Sequence, residues 1–191
     1  MTTQTYNDIV TPELLEGTLD HDVHPGFKED YRILSCLLKI YKPATICEIG
    51  TNVGGGINVM AAALPTAKIY SLDLDYATMM HNSKQYPIGP NGEDRVGSAA
   101  KVPYTQLRGD SLTFDYSKYP CEAAYVDGEH TKKHAQHEIS ELIKVGTKLI
   151  IAHDCDMSEV WEGFQNAIKE TSVSYELFRV SDTRIGYAVR K

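Results

Sequence analysis

The segment Ala44-Thr-Ile-Cys-Glu-Ile-Gly-Thr-Asn-Val-Gly54 constrains the fold more than any other part of the chain. Its short apolar run carries a single acid, Glu48, and breaks at a glycine turn. The turn leads into Gly56-Ile-Asn-Val-Met-Ala-Ala-Ala-Leu64, which has the composition of a buried helix. A second run, Ala67-Lys-Ile-Tyr-Ser-Leu-Asp-Leu-Asp75, is rich in β-branched, aromatic and aliphatic residues and ends in acid, as a strand leaving a buried sheet would. Strand, helix and strand in this order form a parallel pair with a right-handed crossover. Both strands therefore end on the same edge of the sheet, which puts Gly50 and Asp73 on one rim.

The rest of the chain adds layers to this unit. Phe27, Tyr31, Leu34, Leu37, Leu38 and Tyr41 recur at three- and four-residue spacing and predict an amphipathic helix that Pro43 ends. A helix over 76–85 leads to the turn-rich loop Tyr86-Pro-Ile-Gly-Pro-Asn-Gly-Glu-Asp-Arg-Val-Gly97. Because that loop precedes a strand, it is expected at the sheet edge far from the rim, as a structural insertion or a subunit contact rather than a lid. Strands are predicted at 104–108, 123–126 and 148–152, each ending in polar residues: Gly109-Asp110-Ser111, Asp127-Gly-Glu-His130 and His153-Asp154. Helices are predicted over 131–145 and 159–170. Tyr175–Val180 and Ile185–Val189 flank the turn Ser181-Asp-Thr-Arg184 as an antiparallel hairpin. The expected architecture is a doubly wound α/β sheet of seven strands, mostly parallel, with one antiparallel strand at the C-terminal end. At 191 residues the chain suits one domain, over 26–191, preceded by a polar arm or lid over 1–25 that closes with His21, Asp22, His24 and Pro25.

The net charge of −7, with no dense Lys/Arg run, argues against a nucleic-acid-binding face, because neutralising phosphates takes clustered cations. No apolar run approaches a membrane span and the N-terminus lacks the pattern of a signal peptide, so no membrane association and a cytoplasmic location are expected. Cys36, Cys47, Cys121 and Cys155 are scattered, mostly in or beside apolar segments, and are expected as reduced thiols rather than as disulfides or zinc ligands.

A glycine turn between strand and helix lets a ligand approach the backbone, and the N–H groups at a helix start favour a carboxylate or phosphate. The dinucleotide fingerprint would need glycine two positions after Gly50, where this chain has Asn52. Asp73 sits where a carboxylate can accept hydrogen bonds from both hydroxyls of a ribose. Glu48-Ile-Gly50-Thr51-Asn52-Val-Gly54 resembles the ExGxxxG first motif of the class I S-adenosylmethionine-dependent methyltransferases, whose fold is Rossmann-like. Within that resemblance Asp73 matches the ribose-binding acid, Gly109-Asp110-Ser111 the segment on the adenine side, and Asp127 the acid that ends the fourth core strand. The resemblance covers about residues 26–191 and implies S-adenosylmethionine as cofactor, bound by Glu48, Gly50, Thr51, Asn52, Gly54, Asp73, Asp110, Ser111 and Asp127.

Asp127-Gly-Glu-His130 and His153-Asp154 look like the DGxH and HD segments of macrocin-type and cephalosporin-hydroxylase-like O-methyltransferases. In catechol- and caffeoyl-CoA-type relatives the acids at these strand ends hold a divalent metal, which implies Asp127 and Asp154 as ligands of Mg2+ or another divalent cation. Such an ion would bind two substrate oxygens and lower a hydroxyl pKa. Where those enzymes often carry Asn after the second acid, this chain has Cys155, a poor ligand for a hard ion; Asp156 is an available substitute. The metal-free reading makes His130 or His153 the general base. His130, His153 and Asp154 are the candidate catalytic residues under either reading. A plainer role for His153 is capping the strand end by bonding to backbone.

His130, His134, His137, Glu138 and Glu141 fall on a helical stripe opposite Ala135, Ile139, Leu142 and Ile143, which predicts a solvent face and not a zinc site. Trp161 and Phe164 either line an acceptor pocket or, at one helical turn apart, pack in the core, the plainer reading.

The resemblance implies methyl transfer to a hydroxyl of a small molecule. Alternatives are transfer to nitrogen or to a macromolecule, and a non-catalytic protein that keeps the fold. Small methyltransferases with short caps often pair, so a homodimer is compatible with the sequence.

Overall fold

The structure is a computed structural model and describes residues 1–18, 25–82 and 88–191. Eight strands form one sheet: β1 (Thr2–Gln4), β2 (Thr45–Ile49), β3 (Lys68–Asp73), β4 (Thr105–Arg108), β5 (Ala123–Val126), β6 (Leu149–Ala152), β7 (Tyr175–Val180) and β8 (Gly186–Arg190). Their spatial order is β1-β7-β8-β6-β5-β2-β3-β4. Every neighbouring pair is parallel except the two that involve β8, so the single antiparallel strand is the one expected at the C-terminal end.

The eighth strand comes from the N-terminal arm. β1 adds to the edge of β7, with Thr2 opposite Phe178 and Gln4 opposite Val180. Behind it the short helices α1 (Tyr6–Ile9) and α2 (Pro12–Leu15) pack on α3 (Lys28–Tyr41), burying Ile9 and Val10 in the core. Thr5 and Thr11 start these helices, and Lys39 of α3 donates to the carbonyls of Leu14 and Glu16. The arm is thereby tied to the domain by backbone pairing and apolar contact. His21, Asp22 and His24 lie outside the described residues.

Alternation along the strands creates two cores. Ile46 of β2, Ala123 and Tyr125 of β5, and Leu149 and Ile151 of β6 face α3 and α4 (Gly55–Ala63). Cys47 and Ile49, Ala124 and Val126, and Ile150 and Ala152 face α6 (Lys132–Lys144) and α7 (Ser158–Glu170). Period-two patterning with apolar residues on both faces is what a covered parallel sheet requires. Phe164 is fully buried with Trp161 edge-on at 5.9 Å, so this pair packs in the core and stacks toward Arg179. α3 ends with Lys42 in the left-handed conformation (φ 49°), just before Pro43. All four cysteines are free and buried.

Two expectations are corrected here. The described part of the loop, 88–103, does not lie at the far edge of the sheet. α5 (Tyr76–Asn82) is short, and the chain doubles back over the glycine turn: Gly97 N donates to Asn52 O at 2.8 Å and Ala99 N to Val53 O at 2.8 Å. Asn58 of α4 holds the same loop through Ala99 O and Lys101 N, and Arg108 pairs with Asp94 at 2.7 Å. Residues 83–87 lie outside the described residues. The second correction concerns α6. Glu138 is 1% exposed and belongs to the sheet-facing side, not the solvent face. Its carboxylate lies beside Gly128, just past β5, where a Cβ would meet Glu138 Oε1 at 3.4 Å and Ile49 at 3.3 Å.

Among the described residues no helix is long and apolar enough to cross a membrane.

Candidate active site

Four main-chain hydrogen bonds align the residues that follow the central strands. Gly109 N donates to Asp73 O (3.0 Å), Gly50 N to Leu72 O (2.8 Å), Asp127 N to Ile49 O (2.8 Å) and His153 N to Val126 O (3.0 Å). Each post-strand residue is thus pinned to its neighbour, and the polar strand ends that the sequence marks stand in one row.

At the glycine turn, Gly50 has φ +97° and a Cβ there would lie 2.0 Å from the Asp127 carbonyl oxygen. Glycine is required because the turn backs directly onto the end of β5. Below it, Glu48 is 1% exposed, hydrogen-bonded by the Ser71 hydroxyl, and leaves no room for a side chain at position 56, where a Cβ would meet its Oε1 at 2.0 Å. Ser71 also meets Thr51 Oγ1 at 2.7 Å, and Gln106 Nε2 donates to Thr51 Oγ1 at 3.0 Å. Burial pushes the Glu48 carboxyl well above the usual carboxylate range. Its position makes it an organiser of the turn from within. Asp73 lies across the turn, one oxygen accepting from Asn52 N and the other from Leu74 N, both at 2.8 Å. Each carboxylate oxygen keeps a second acceptor position. Asp110 and Ser111 follow β4, with Asp110 Oδ1 accepting from Leu112 N at 2.9 Å.

Further along the rim, Asp127, His130, His153 and Asp154 converge. His130 Nε2 is 3.0 Å from Asp154 Oδ2 and 3.9 Å from Asp127 Oδ1. His153 Nδ1 is 2.9 Å from Asp154 Oδ2 and 3.3 Å from Asp127 Oδ1. Neither oxygen lies in line with the ring N–H, so Nδ1 is buried without a hydrogen bond. On the other side of the ring, Nε2 donates to Asp30 Oδ2 of α3 at 3.2 Å. Phe27 and Tyr125 meet the imidazole edge-on at 5.6 and 6.4 Å. Asp154 holds a left-handed backbone (φ 49°), the kind of local strain that functional sites tolerate.

The electrostatics follow from this crowding. Burial works to raise the Asp127 and Asp154 carboxyls, but the His130 and His153 imidazoles beside them outweigh it and hold both below their usual range. The His130 imidazole is pushed up to about 10 by its bonds to Asp127 and Asp154. Burial opposes charge on His153, yet Asp127, Asp154 and Asp30 together push it up to about 11.

The structure brings two groups of predicted residues onto one rim: Glu48, Gly50, Thr51, Asn52, Gly54 and Asp73 around the turn, and Asp127, His130, His153 and Asp154 beyond it. Gly54 is drawn into packing with the returning loop, where a Cβ would meet Ala100 at 3.1 Å. Cys155 is buried with Sγ toward the Ala152 carbonyl, and Asp156 lines an adjoining charged cavity of about 660 Å³ with Lys28, Asp30, Arg32 and Arg184. Asp30 and Arg184 are functional neighbours that the sequence does not reveal. Asp30 sits within an amphipathic helix, and its tie to the rim spans the chain. It accepts from Arg184 N at 3.1 Å while Arg184 stacks over Phe27 at 4.5 Å.

No family model matches the sequence, and no curated protein matches it. Solved structures do. The O-methyltransferase from Bacillus cereus in complex with SAH is 16% identical, covers 97% of this chain and 94% of its own, and has a TM-score of 0.56. TomG, the Streptomyces achromogenes O-methyltransferase involved in tomaymycin synthesis, in complex with SAM, is 14% identical, with 95% and 90% covered and a TM-score of 0.54. SAM-bound CalS10, an amino pentose methyltransferase from Micromonospora echinaspora, is 9% identical, with 85% and 91% covered and a TM-score of 0.59. The chain has the fold of the S-adenosylmethionine-dependent methyltransferases.

Proposed function

We propose that this chain transfers a methyl group from S-adenosylmethionine to a hydroxyl of a small molecule, assisted by a divalent cation at Asp127 and Asp154. The observation that carries this reading is the shared rim. The turn with its strand-end acid and the acid–imidazole group stand back to back, joined where Gly50 meets the Asp127 carbonyl. A methyl donor held at the first faces an acceptor held at the second. The residues fit the cofactor: Asp73 has acceptor positions left for ribose hydroxyls, and Asp110 and Ser111 flank the adenine side.

Methyl transfer is an in-line displacement at a sulfonium carbon, so the protein's work is alignment and removal of one proton. The two imidazoles divide by geometry. His153 is 5% exposed, with Nε2 bonded to Asp30 and Nδ1 turned onto the Asp127 and Asp154 carboxylates, so both nitrogens are engaged below the rim surface. The His130 side chain is 40% exposed and is the one placed to touch an acceptor. A bound cation supplies charge that lowers the acceptor hydroxyl's pKa. Asp127 and Asp154 would hold it, and with those carboxylates claimed by the cation His130 would lose the partners that keep it protonated, so that it could orient the acceptor oxygen and take its proton. Four buried thiols agree with a reducing, cytoplasmic setting.

The test is calorimetry with S-adenosylmethionine and its demethylated product. Micromolar-range binding is expected, and Asp73→Ala should weaken it by about 10- to 100-fold, the worth of one or two hydrogen bonds to a charged group. No heat with either ligand would refute the reading.

A further inference from the structure

We infer that the cation at this rim is a nitrogen-accepting first-row transition ion, Mn2+, Fe2+, Co2+ or Zn2+, in preference to Mg2+, with His153 Nδ1 as the third ligand beside Asp127 and Asp154. This rests on the proposed cation-assisted reading and names the ion's class and an additional ligand.

Three observations converge. The first is spacing. Donors about 2.1 Å from one ion stand about 3.0–3.4 Å from each other when adjacent. His153 Nδ1 lies 2.9 Å from Asp154 Oδ2 and 3.3 Å from Asp127 Oδ1, and the three donor atoms fall within 4.8 Å of one another. The second is the orphaned nitrogen. His153 is 5% exposed, and Nδ1 has no hydrogen-bond partner although it points among carboxylates. A buried polar atom without a partner costs free energy, and a cation in that position satisfies it.

The third is the far side of the ring. A metal-bound histidine almost always gives its other N–H to a carboxylate, a backbone carbonyl or water, which fixes the tautomer and raises the basicity of the ligating nitrogen. Asp30 does this here: it is 5% exposed, its Oδ2 takes Nε2 at 3.2 Å, and its Oδ1 is held by Arg184 N. Phe27 and Tyr125 fix the plane of the ring. Asp30 would thus back the imidazole from α3 while Nδ1 held the ion, and binding would release the proton from Nδ1.

An imidazole in the ligand set decides the choice of ion. Mg2+ and Ca2+ favour carboxylate, carbonyl and water, whereas imidazole suits the later divalent ions, whose affinity for nitrogen sites rises along the first row. The two residues after Asp154 supply no oxygen ligand to shift the balance, since Cys155 is turned inward and Asp156 lines the neighbouring cavity.

The experiment uses the full chain stripped with chelator and titrated calorimetrically with Mn2+, Co2+, Zn2+ and Mg2+. Pulsed electron paramagnetic resonance of the Mn2+ complex provides the second readout. Mn2+ is expected to bind at least about tenfold more tightly than Mg2+. Nitrogen modulation should be present in the wild type and in His130→Gln and absent in His153→Gln. Asp30→Asn should weaken Mn2+ by about 10- to 100-fold. Mg2+ binding as tightly as Mn2+, absence of nitrogen modulation in the wild type, or its survival in His153→Gln would overturn the inference. The comparison of ions on the wild type stands even where a variant fails to fold. Titration with the demethylated cofactor separates the two readings: cofactor binding without any metal binding defeats this inference and the cation's part in the proposed function but leaves methyl transfer standing, and metal binding without cofactor binding defeats the methyltransferase reading alone.

Discussion

Replacing Glu138 by glutamine tests the electrostatics of the core directly. Glu138 is 1% exposed and neither side-chain oxygen has a hydrogen-bond partner. Burial pushes its carboxyl from an ordinary 4.5 up to about 7, with the nearby Ser111 hydroxyl pulling less strongly the other way. Between these two values the folded chain holds a proton that the unfolded chain has released. Unfolding then releases protons, so stability falls as pH rises through this window and levels off above about 7. At about 1.4 kcal/mol per tenfold in proton affinity, the whole window is worth roughly 3 kcal/mol. Glutamine has the same shape and no proton to lose. Whatever constant cost its buried amide adds cancels when two pH values are compared. Urea unfolding of wild type and Glu138→Gln at pH 5 and pH 8 should therefore show the variant gaining about 2–3 kcal/mol relative to wild type at the higher pH. In thermal melts this is a relative gain of about 4–12 °C. Curves that stay parallel from pH 5 to pH 8 would show that Glu138 is paired or hydrated in solution, and the argument from burial would be wrong.

Gly50→Ala should be among the most damaging single-atom changes on the rim, because the added carbon meets the Asp127 carbonyl at 2.0 Å and φ is +97°; a loss of about 2–4 kcal/mol in urea unfolding is expected. Phe164→Ala should cost about 3–5 kcal/mol and leave cofactor binding intact, since this fully buried ring packs between α6, α7 and the sheet. A drop in cofactor affinity without loss of stability would place it in a binding pocket instead.

Much of the fold is legible in the sequence because local patterns coincide with what the sheet requires. β5 and β7 fall where short apolar and β-favouring runs bounded by turn residues place them, and α6 is capped by Thr131, whose hydroxyl accepts from His134 N. The row of polar strand ends is legible too: once strands are parallel and crossovers right-handed, their C-terminal ends share an edge. The sheet-facing position of Glu138 is not legible, because a residue that flanks an apolar stripe is assigned to a face only by the neighbours that cover it. The returning loop is not legible either. Its contacts with Asn52, Val53 and Asn58 are non-local, and no periodicity records them.

By itself, then, the sequence determined the turn from Glu48 to Gly54, Asp73 across from it, and Asp127, His130, His153 and Asp154 further along, since backbone conformation and strand order depend on neighbouring residues. Only the tertiary structure decided what each side chain does there. Asp30 reaches His153 across 123 positions of chain, β1 extends the sheet from the arm, and His153 turns one nitrogen to Asp30 and the other, without a hydrogen bond, to the carboxylates of the rim. Such contacts are fixed by the packing of α3 and the β7–β8 turn against the sheet, and side-chain roles depend on distances in space that spacing along the chain does not encode.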